Sequence, residues 1–363
     1  MGFWNKIVKH IKMQEIRQES SICSNVEYSE TPMLERGRDS RIWLDEDTHV
    51  YHVDDKTDYT SVTTWNHLHF EEFVPHKVVD KMMKGPKFKE SEYADMTREE
   101  ILQKWKDEGQ EASRAGTAFH YAIECYYRGL PIDQQVQKSV EWSYFLKFVS
   151  SDEHTNDPKI TPYKSEWQVF DEDLKLAGTI DMTFVDDQGK ILIYDWKRCK
   201  KITKINEWQT AITPEIDHLQ DCNFWHYALQ LNTYKYILEK HYNREVSKMY
   251  IVSMHPDNES GTYDKYELPD LQHEIRDLMV VRVDMMRFPN YITSTTEVMK
   301  RQAAIISYLA QQNPPKRKLA DLIDEFRDRE KIDWKFFNEA LCQLVKKRVI
   351  DVDPQHIWVW YMS

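Results

Sequence analysis

The sequence has few cysteines, and they form no recognisable pattern. The five cysteines are an odd number at irregular spacings, and no CxxC pair is present. A disulfide framework or a zinc ribbon is therefore not expected, and buried reduced thiols are the simpler interpretation. The sequence also lacks an apolar run of membrane-spanning length, an internal repeat and a low-complexity tract. We therefore expect neither a membrane protein nor a repeat architecture.

A net positive charge is missing as well. The formal charge of −12 argues against a protein that coats nucleic acid without specificity, because phosphate neutralisation needs clustered lysine and arginine. It does not exclude a nuclease, because such a site gathers carboxylates around metal and a local basic groove can coexist with an acidic remainder. Residues 1–17 are basic but lack the apolar stretch and cleavage site of a secretory signal, so we expect a cytosolic, nuclear or virion-internal protein.

Changes in composition divide the 363 residues into three parts. Residues 1–40 are polar and predict a partly ordered lead-in with a short helix over 4–17. Residues 41–300 predict one α/β domain. Residues 301–363 carry 11 Lys and Arg against 9 Asp and Glu, which is a net charge of +2. Three helical patterns there (303–311, 319–327 and 334–347) precede two short strands around Asp353-Pro354, and this order predicts a small winged-helix-like domain.

The middle part alternates between strand and helix patterns. "RIWLDEDTHVYHV" and "YTSVTTW" predict two short strands joined by a turn at 54–58. Residues 66–110 are helical in character, with Met82 and Trp105 as core anchors, and helices are expected over 113–128 and 137–148. Three β-rich runs follow between 163 and 199, with residues 186–189 as a hairpin loop. A helix over 224–241 and a strand in "SKMYIVSMHP" complete the pattern of an α/β sheet.

Two aspartates and a lysine lie on neighbouring predicted strands. Alternation places Asp195 and Lys197 on one face of "ILIYDWK", and the preceding hairpin makes Asp181 a cross-strand neighbour of Asp195. Two such carboxylates repel each other unless a divalent cation lies between them, and a nearby lysine is suited to contacting a phosphate or the attacking water. The alternative is a surface salt bridge between Asp195 and Lys197. The buried character of "ILIYD" favours a site at the strand's end.

The helix that follows Gly116-Thr117 carries two further candidates. His120 and Glu124 share one helix face at positions i and i+4. His120 is either a metal ligand or a histidine of the core or surface. Glu124 is either a functional group or the charge partner of His120 or of a nearby base.

Three more candidates lie downstream. Glu166 in "SEWQVF" is either a further ligand or a charge at a strand edge. Gln230 and Tyr234 share a helix face, which either meets the site or packs on the sheet.

Four motifs together resemble those of the PD-(D/E)xK nuclease superfamily in its RecB-type branch. That branch carries a G-T-x-x-H helix, a G-x-x-D strand, a D-x-K strand and a Q-L-x-x-Y helix, in this order. The sequence has all four in order, at residues 116–120, 178–181, 195–197 and 230–234. "SVTT" resembles a segment that precedes the core in nucleases of large DNA viruses and in mitochondrial genome-maintenance exonucleases. The resemblance covers about residues 41–265.

The resemblance implies a restriction-endonuclease-like fold, which is an α/β fold with a mixed central sheet flanked by helices. It also implies that a metal ion is held by three side chains and the backbone carbonyl of a fourth residue, namely His120, Asp181, Asp195 and Trp196. Lys197 would be the catalytic lysine, and Glu166 would support the metal from its outer shell. Four residues would orient Lys197 or contact DNA: Thr117, Glu124, Gln230 and Tyr234.

The implied ligand set indicates which metal to expect. Oxygen ligands with one imidazole suit Mg²⁺ or Mn²⁺. Relatives with an iron–sulfur cluster carry one cysteine upstream and three grouped downstream of the core. Here only Cys342 follows Tyr234, so no iron–sulfur cluster is expected.

We therefore expect a metal-dependent deoxyribonuclease, either an exonuclease or a structure-selective endonuclease, in viral replication, recombination or repair. Its site of action would be the host cytoplasm or nucleus, with packaging in the virion as a further option. The alternatives are a catalytically inactive nucleic-acid-binding or scaffold protein on the same fold, and an RNA endonuclease.

Single-stranded DNA or duplex ends are the expected partners. Aromatic residues near the core could stack on unpaired bases, although tryptophans of a sheet protein more often belong to its core: Trp65, Tyr126, Tyr127, Trp167 and Trp225. The C-terminal part would contact either DNA or a protein partner.

Overall fold

The computed structural model describes residues 33–151 and 160–287, and beyond them residues 305, 308–309, 316–318, 322, 340–341, 344, 350–352 and 358–361. The helices are α1 (Met33–Asp39), α2 (Val62–His67), α3 (Pro75–Lys84), α4 (Arg98–Arg128), α5 (Gln134–Gln137), α6 (Val140–Val149), α7 (Asn223–His241) and α8 (Gln272–Arg287). The strands are β1 (Ile42–Asp45), β2 (Val50–Val53), β3 (Thr60–Ser61), β4 (Thr161–Asp171), β5 (Leu176–Val185), β6 (Ile191–Lys197), β7 (Val246–Ser253), β8 (Asp264–Glu267), β9 (Lys316–Lys318), β10 (Ile350–Val352) and β11 (Trp358–Tyr361).

A mixed sheet of six strands forms the centre of the larger part of the chain. Its order is β3-β5-β6-β7-β8, and β4 pairs with β5 in addition. The β4–β5, β5–β6 and β7–β8 pairs are antiparallel, whereas β3–β5 and β6–β7 are parallel. The parallel β6–β7 pair is possible because α7 provides the crossover between the two strands.

Strand β5 has different partners along its two edges. β4 covers one edge from Leu176 to Val185. On the other edge, β3 pairs with residues 176–177 and β6 pairs with residues 182–185. Residues 178–181 of β5 therefore lie between the two partners, at a fork in the sheet.

Helices flank the sheet, which confirms the predicted α/β class. The second half of α4 and all of α6 bury aromatic and aliphatic side chains in one cluster with β5, β6 and β7, including Phe119, Phe145, Phe148, Phe184, Tyr194 and Trp196. α7 contacts β4 and β7. Burial of this apolar surface is the main stabilisation of such a layered fold.

The prediction of a helix over 113–128 is correct for its end and wrong for its beginning. α4 starts at Arg98, where Thr97 and Glu100 form a capping box, and continues through Gly116-Thr117 to the left-handed Gly129. The Thr97 hydroxyl accepts the amide of Glu100, and the Glu100 carboxylate accepts the amide of Thr97. This reciprocal cap defines the helix start 15 residues earlier than the apolar pattern suggested.

The expected strand at "YTSVTTW" is also wrong. Only Thr60 and Ser61 are extended, and α2 begins at Val62 because the Ser61 hydroxyl caps the amide of Thr64. Val62 and Trp65 are fully buried at i and i+3, a helical spacing. The run "RIWLDEDTHVYHV" forms two strands, β1 and β2, that pair as a hairpin, and not one strand.

The predicted later strands and helix of the middle part agree with the structure, whereas the predicted core anchors do not, and the helix expected over 137–148 is α6, which begins at Val140. The three β-rich runs are β4, β5 and β6, and the turn at 186–189 is closed by a hydrogen bond from the Asp186 amide to the Lys190 carbonyl. α7 and β7 lie where a helix and a strand were expected. Met82 and Trp105 are only half-buried, and Val79 and Ile101 are the fully buried residues of that region.

The chain divides into two compact units, Met1–Asp277 and Leu278–Ser363. In the second, β9, β10 and β11 form an antiparallel sheet in the order β10-β11-β9, so the two strands expected around Asp353-Pro354 are present. The helix expected over 4–17 lies outside the described residues, as do those over 303–311, 319–327 and 334–347 apart from single positions. The winged-helix-like domain stays a prediction. Within the described residues, every helix is too short or too polar to span a bilayer.

Candidate active site

Asp181 and Glu166 face each other at the fork beside β5. Asp181 follows directly on the Met182–Tyr194 pair, the last one between β5 and β6. In the β4–β5 ladder, Ser165 pairs with Met182 and Trp167 with Ile180, so Glu166 falls opposite Asp181. The sheet register therefore brings the two acidic side chains together.

Glu166 has an unusual backbone conformation. Its φ of 49° lies in the left-handed region, which a glutamate seldom adopts. Burial raises the pKa of Glu166 well above its usual range, and the neighbouring charges of Asp181 and Glu124 raise it further. Strain and like charge at one residue are typical of a functional site.

His120 completes a cluster of three metal-ligating side chains. The ligand atoms of His120, Glu166 and Asp181 all lie within 4.8 Å of one another. His120 Nδ1 is 3.5 Å from Asp181 Oδ2. The three residues come from α4, β4 and β5, so only the folded chain assembles the cluster.

Asp195 and Lys197 form a buried ion pair beside this cluster. Asp195 is 2% exposed, and its Oδ2 lies 2.5 Å from Lys197 Nζ, which confirms that the two side chains share one face of β6. This oxygen has no partner with hydrogen-bond geometry. Burial raises the pKa of Asp195, although the lysine lowers it. Burial lowers the pKa of Lys197, but the charges of Asp195 and Asp181 outweigh burial and raise it.

Trp196 links β6 to the cluster through its backbone. Its amide donates a hydrogen bond to Asp181 Oδ2 at 2.8 Å, and its indole is buried in the core. The amide therefore fixes the Asp181 carboxylate. Whether the Trp196 carbonyl is a metal ligand stays a prediction.

Helix α7 presents a line of polar side chains to the site. Tyr227, Gln230 and Tyr234 share one helix face by their spacing. Lys197 Nζ lies 4.8 Å from the centre of the Tyr227 ring. Gln230 Nε2 donates to the Tyr234 hydroxyl at 3.3 Å. Tyr234 is only 2% exposed, which favours a positioning role over a contact with DNA.

Gly178 allows this close approach of α7. A methyl group at residue 178 would lie 2.6 Å from Cε1 and 3.0 Å from the hydroxyl oxygen of Tyr234. Only glycine leaves room for the ring next to β5.

Two predicted residues have partners outside the cluster. The Glu124 carboxylate pairs with Arg128 at 2.6 Å, and not with His120. The Thr117 hydroxyl donates to the carbonyl of Ser113 at 3.0 Å and is exposed on α4. Roles for both in DNA contact stay predictions.

Of the two interpretations of the aromatic residues, the structure agrees with the core for the three most buried ones. Trp65, Trp167 and Tyr127 are at most 7% exposed and belong to the interior. Trp225 is half-buried and donates its indole N–H to the Lys204 carbonyl at 3.2 Å, and Tyr126 packs edge-on against Phe145. The sheet and its helices therefore bury three of the five rings, whereas Tyr126 stays 40% exposed.

Sequence reasoning missed Tyr227 and the ion pair next to Lys197. Arg198 Nε donates to Glu141 Oε1 at 2.6 Å, and Glu141 is 7% exposed. Tyr227 lies three residues before Gln230, so the helical spacing of the Q-L-x-x-Y motif was the signal that could have found it.

The donor set suits a divalent metal ion. Two carboxylates and one imidazole are grouped within 4.8 Å, and the buried carboxylate of Asp195 lies next to them. Such crowding of like charge is stable at neutral pH when a cation lies among the oxygens. Oxygen-rich sites with one histidine fit Mg²⁺ or Mn²⁺.

Comparisons with known proteins point in the same direction. A family model described as the PD-(D/E)XK nuclease superfamily matches residues 91–327, which is more than half of the chain. No curated protein matches. The protein SSO0001 is similar in structure with 14% identity and a TM-score of 0.28, covering 71% of this chain and 85% of its own. A candidate exonuclease from Eubacterium rectale has 12% identity and a TM-score of 0.28, covering 66% and 82%. These TM-scores are too low to support an assignment, which rests on the family model.

Proposed function

The chain belongs to the PD-(D/E)XK nuclease superfamily, and we propose that it hydrolyses phosphodiester bonds in DNA with the help of a divalent metal ion. The observation that carries the proposal is the convergence of His120, Glu166 and Asp181 within 4.8 Å, beside the buried Asp195–Lys197 pair. Nucleases of this superfamily use divalent ions, and we propose Mg²⁺ or Mn²⁺ here.

His120, Glu166 and Asp181 would hold the ion, and Asp195, which lies beside them in its pair with Lys197, would be a further ligand. When bound, the ion would act as a Lewis acid toward the scissile phosphate and lower the pKa of water.

Lys197 supplies the positive charge of the protein itself. Its ammonium lies 2.5 Å from Asp195 and 4.8 Å from the Tyr227 ring centre, which fixes its position at the end of β6. The neighbouring carboxylates keep Lys197 protonated, so that it can stabilise negative charge that develops on the phosphate. Tyr234 and Gln230 hold the β5 segment next to it and act as positioning residues.

The finer assignments follow the motifs. We propose an exonuclease or a structure-selective endonuclease that acts on single strands or duplex ends. The similarity of "SVTT" to the viral segment supports a role in viral DNA replication, recombination or repair, with a nuclease domain over 41–300. The winged-helix-like part, 301–363, would contact DNA or a protein partner.

The test is cleavage of end-labelled single-stranded, duplex and circular DNA and of RNA, with Mg²⁺, Mn²⁺ or EDTA. We expect cleavage of DNA with metal and none with EDTA. Asp195→Asn and Lys197→Met should each lower the rate at least roughly a hundredfold, because they remove preorganised charge at the reacting phosphate.

Lys190→Met is the matched control for these variants. It removes a lysine from an ion pair of similar length, 2.6 Å to Glu245, at the far end of the β5–β6 hairpin. Full activity of correctly folded Asp195→Asn would reject the proposal, and preferential cleavage of RNA would reject the choice of DNA.

A further inference from the structure

The segment between β6 and α7, residues 198–222, exposes two large apolar side chains. Trp208 is 89% exposed and Ile205 is 66% exposed. Among the described residues, Trp208 is the most exposed large apolar side chain. Exposing an indole to water is unfavourable, so such a position suggests a binding role.

The exposure of Trp208 is held in place by hydrogen bonds. Asn206 accepts the amide of Trp208 at 3.1 Å, while its own amide and side chain donate to Gln220 and to the Asp221 carbonyl, both at 2.6 Å. The amide of Asp221 donates back to the carbonyl of Gln209 at 2.9 Å. Arg198, at the start of the segment, is anchored by Glu141. The hydrogen bonds thus fix the backbone at Trp208, and the ring extends outward from it.

The surrounding charge favours a polyanion. Residues 197–208 contain five basic residues and one acidic residue: Lys197, Arg198, Lys200, Lys201, Lys204 and Glu207. Three of the basic residues pair with carboxylates of other segments, namely Asp195, Glu141 and Asp257, which leaves Lys201 and Lys204 to attract an anion. Lys201 and Lys204 are exposed. Basic residues interleaved with an exposed aromatic ring are the combination by which proteins bind single-stranded nucleic acid. A protein partner recognised through apolar contacts alone would not need this charge.

An open depression lies between Trp208 and the beginning of α7. It has a volume of about 560 Å³ and is lined by Thr203, Ile205, Asn206, Glu207, Trp208, Cys222 and Asn223. Asn223 and Tyr227 lie four residues apart on α7 and share a face, about 6 Å apart along the helix axis. Tyr227 contacts Lys197. The depression therefore begins about one helical turn along α7 from Tyr227, the residue whose ring contacts the proposed catalytic lysine.

We propose that Trp208, supported by Ile205, stacks on an unpaired base next to the scissile phosphate, and that Lys201 and Lys204 contact the adjacent backbone. The inference rests on the proposed nuclease function and adds to it the residues that would recognise the unpaired strand of the proposed substrate. The segment 198–222 is thus a binding platform for the strand that enters or leaves the site.

Binding is measured with the full-length chain in the Asp195→Asn background, so that cleavage does not interfere. The probe is a short fluorescent single-stranded DNA, compared with a blunt duplex of the same sequence, and anisotropy gives the Kd. We expect Trp208→Ala to weaken single-strand binding roughly tenfold, and Trp208→Phe to restore most of it, because base stacking needs an aromatic face. Duplex binding should change less.

Trp43→Ala is the matched control. Trp43 is also exposed, at 42%, but stacks on His52 in the β1–β2 hairpin. Its replacement should leave both affinities unchanged. The high exposure of Trp208 makes loss of folding an unexpected result, and circular dichroism checks it.

A second experiment locates the base. The protein with native Asp195, which can cleave DNA, is assayed on single strands in which one base at a time is replaced by an abasic site. An abasic site at one position close to the cleaved bond should slow cleavage by the native protein. The same abasic site should cause no further loss of rate in Trp208→Ala. Additive effects at every position would overturn the proposed contact.

The outcomes separate this inference from the proposed function. If the native chain cleaves no nucleic acid with either metal, the nuclease proposal fails. If the native chain cleaves DNA but Trp208→Ala binds and cleaves normally, only the stacking platform is overturned, and Trp208 belongs to another kind of interface. Equal losses for single strands and blunt duplexes would also overturn the platform.

Discussion

Glu166 has two features that each reduce the stability of the folded state. Its left-handed backbone costs on the order of 1–2 kcal/mol, and its carboxyl is half-buried opposite Asp181. The paired residues on either side, Ser165 and Trp167, hold the strand in register and so maintain the strained conformation. Natural proteins retain such costs where the geometry serves a function. This supports the fork at β5 as the place where the chemistry occurs.

Gly178→Ala provides a test of how closely α7 and β5 must approach. The new methyl group would lie 2.6 Å from Tyr234 Cε1, so the buried ring has to move away. We expect a loss of about 1–3 kcal/mol in the free energy of unfolding, as for other overpacked cores. Urea unfolding measures this loss, and cleavage assays should show reduced activity because the ring also positions the site.

Gly109→Ala is the control substitution. Gly109 lies within α4, and nothing lies within 4 Å of its added methyl group. This change should increase stability by up to about 1 kcal/mol, because alanine is the better helix former. Equal effects of the two substitutions would contradict the steric argument.

The sequence motifs predicted which side chains meet, but not how they are held. Alternation along β6 was enough to pair Asp195 with Lys197, and the hairpin was enough to bring Asp181 close. The left-handed conformation of Glu166 and the ring of Tyr227 under Lys197 depend on tertiary packing. Neither of these two features follows from the spacing of residues along a single strand or helix.

At the scale of elements, periodicity predicted the long strands and α7 correctly, and capping decided the errors. α2 and α4 begin where Ser61 and Thr97 accept backbone amides. A β-branched run such as "SVTT" favours a strand by propensity, but a serine cap and two buried residues at helical spacing override it. Burial of Val62 and Trp65 in the tertiary structure, which the sequence does not show directly, therefore favours a helix over a strand in this segment.

His69 connects α2 to the segment 198–222. Its carbonyl accepts the amide of Ile212 and its Nδ1 lies 2.8 Å from the Thr213 hydroxyl. The side chain is 1% exposed, and burial lowers the pKa of His69 from 6.5 to about 3. The neutral form is favoured in the folded state, so its contribution to stability is complete above pH 6.5 and is lost as the pH falls toward 3.

We therefore expect acid to weaken the fold through His69. The free energy of unfolding should fall by roughly 2 kcal/mol between pH 7.5 and pH 5 because of this residue, at about 1.4 kcal/mol per pH unit below the unfolded pKa. Urea unfolding at both pH values compares the native chain with His69→Phe, whose pH dependence should be smaller by that amount. His273, with a side chain 82% exposed, supplies the control His273→Gln, which should behave like the native chain. Parallel pH curves for the native chain and His69→Phe would contradict the prediction.

At the scale of the whole molecule, the charge distribution is uneven. The chain has a net charge of −12, yet residues 197–208 carry +4. In the proposed complex, the exposed Lys201 and Lys204 would attract a DNA strand toward the site, whereas the acidic remainder of the chain would repel it.

This distribution predicts a local origin for the salt dependence of binding. In the Asp195→Asn background, the slope of log K against log salt should become shallower by roughly 0.7 for each lysine whose phosphate contact is removed. Lys201→Gln and Lys204→Gln are the test variants, and anisotropy titrations at several salt concentrations give the slope. Lys56→Gln, an exposed lysine that follows β2, should leave the slope unchanged. An equal change of the slope for Lys56→Gln would contradict the prediction, because it would mean that the total charge of the protein, and not Lys201 and Lys204, determines the salt dependence.

The line of side chains along α7 has a consequence for how the chain can vary. Asn223, Tyr227, Gln230 and Tyr234 join the base platform, the lysine and the β5 fork only because their spacing matches the helical repeat. One inserted residue would rotate everything after it by about 100° and disconnect the two ends. The spacing along α7 would therefore set the distance between the proposed base-binding platform and the proposed catalytic lysine. Surface turns can vary in length, but the number of residues from 223 to 234 cannot change without separating the two.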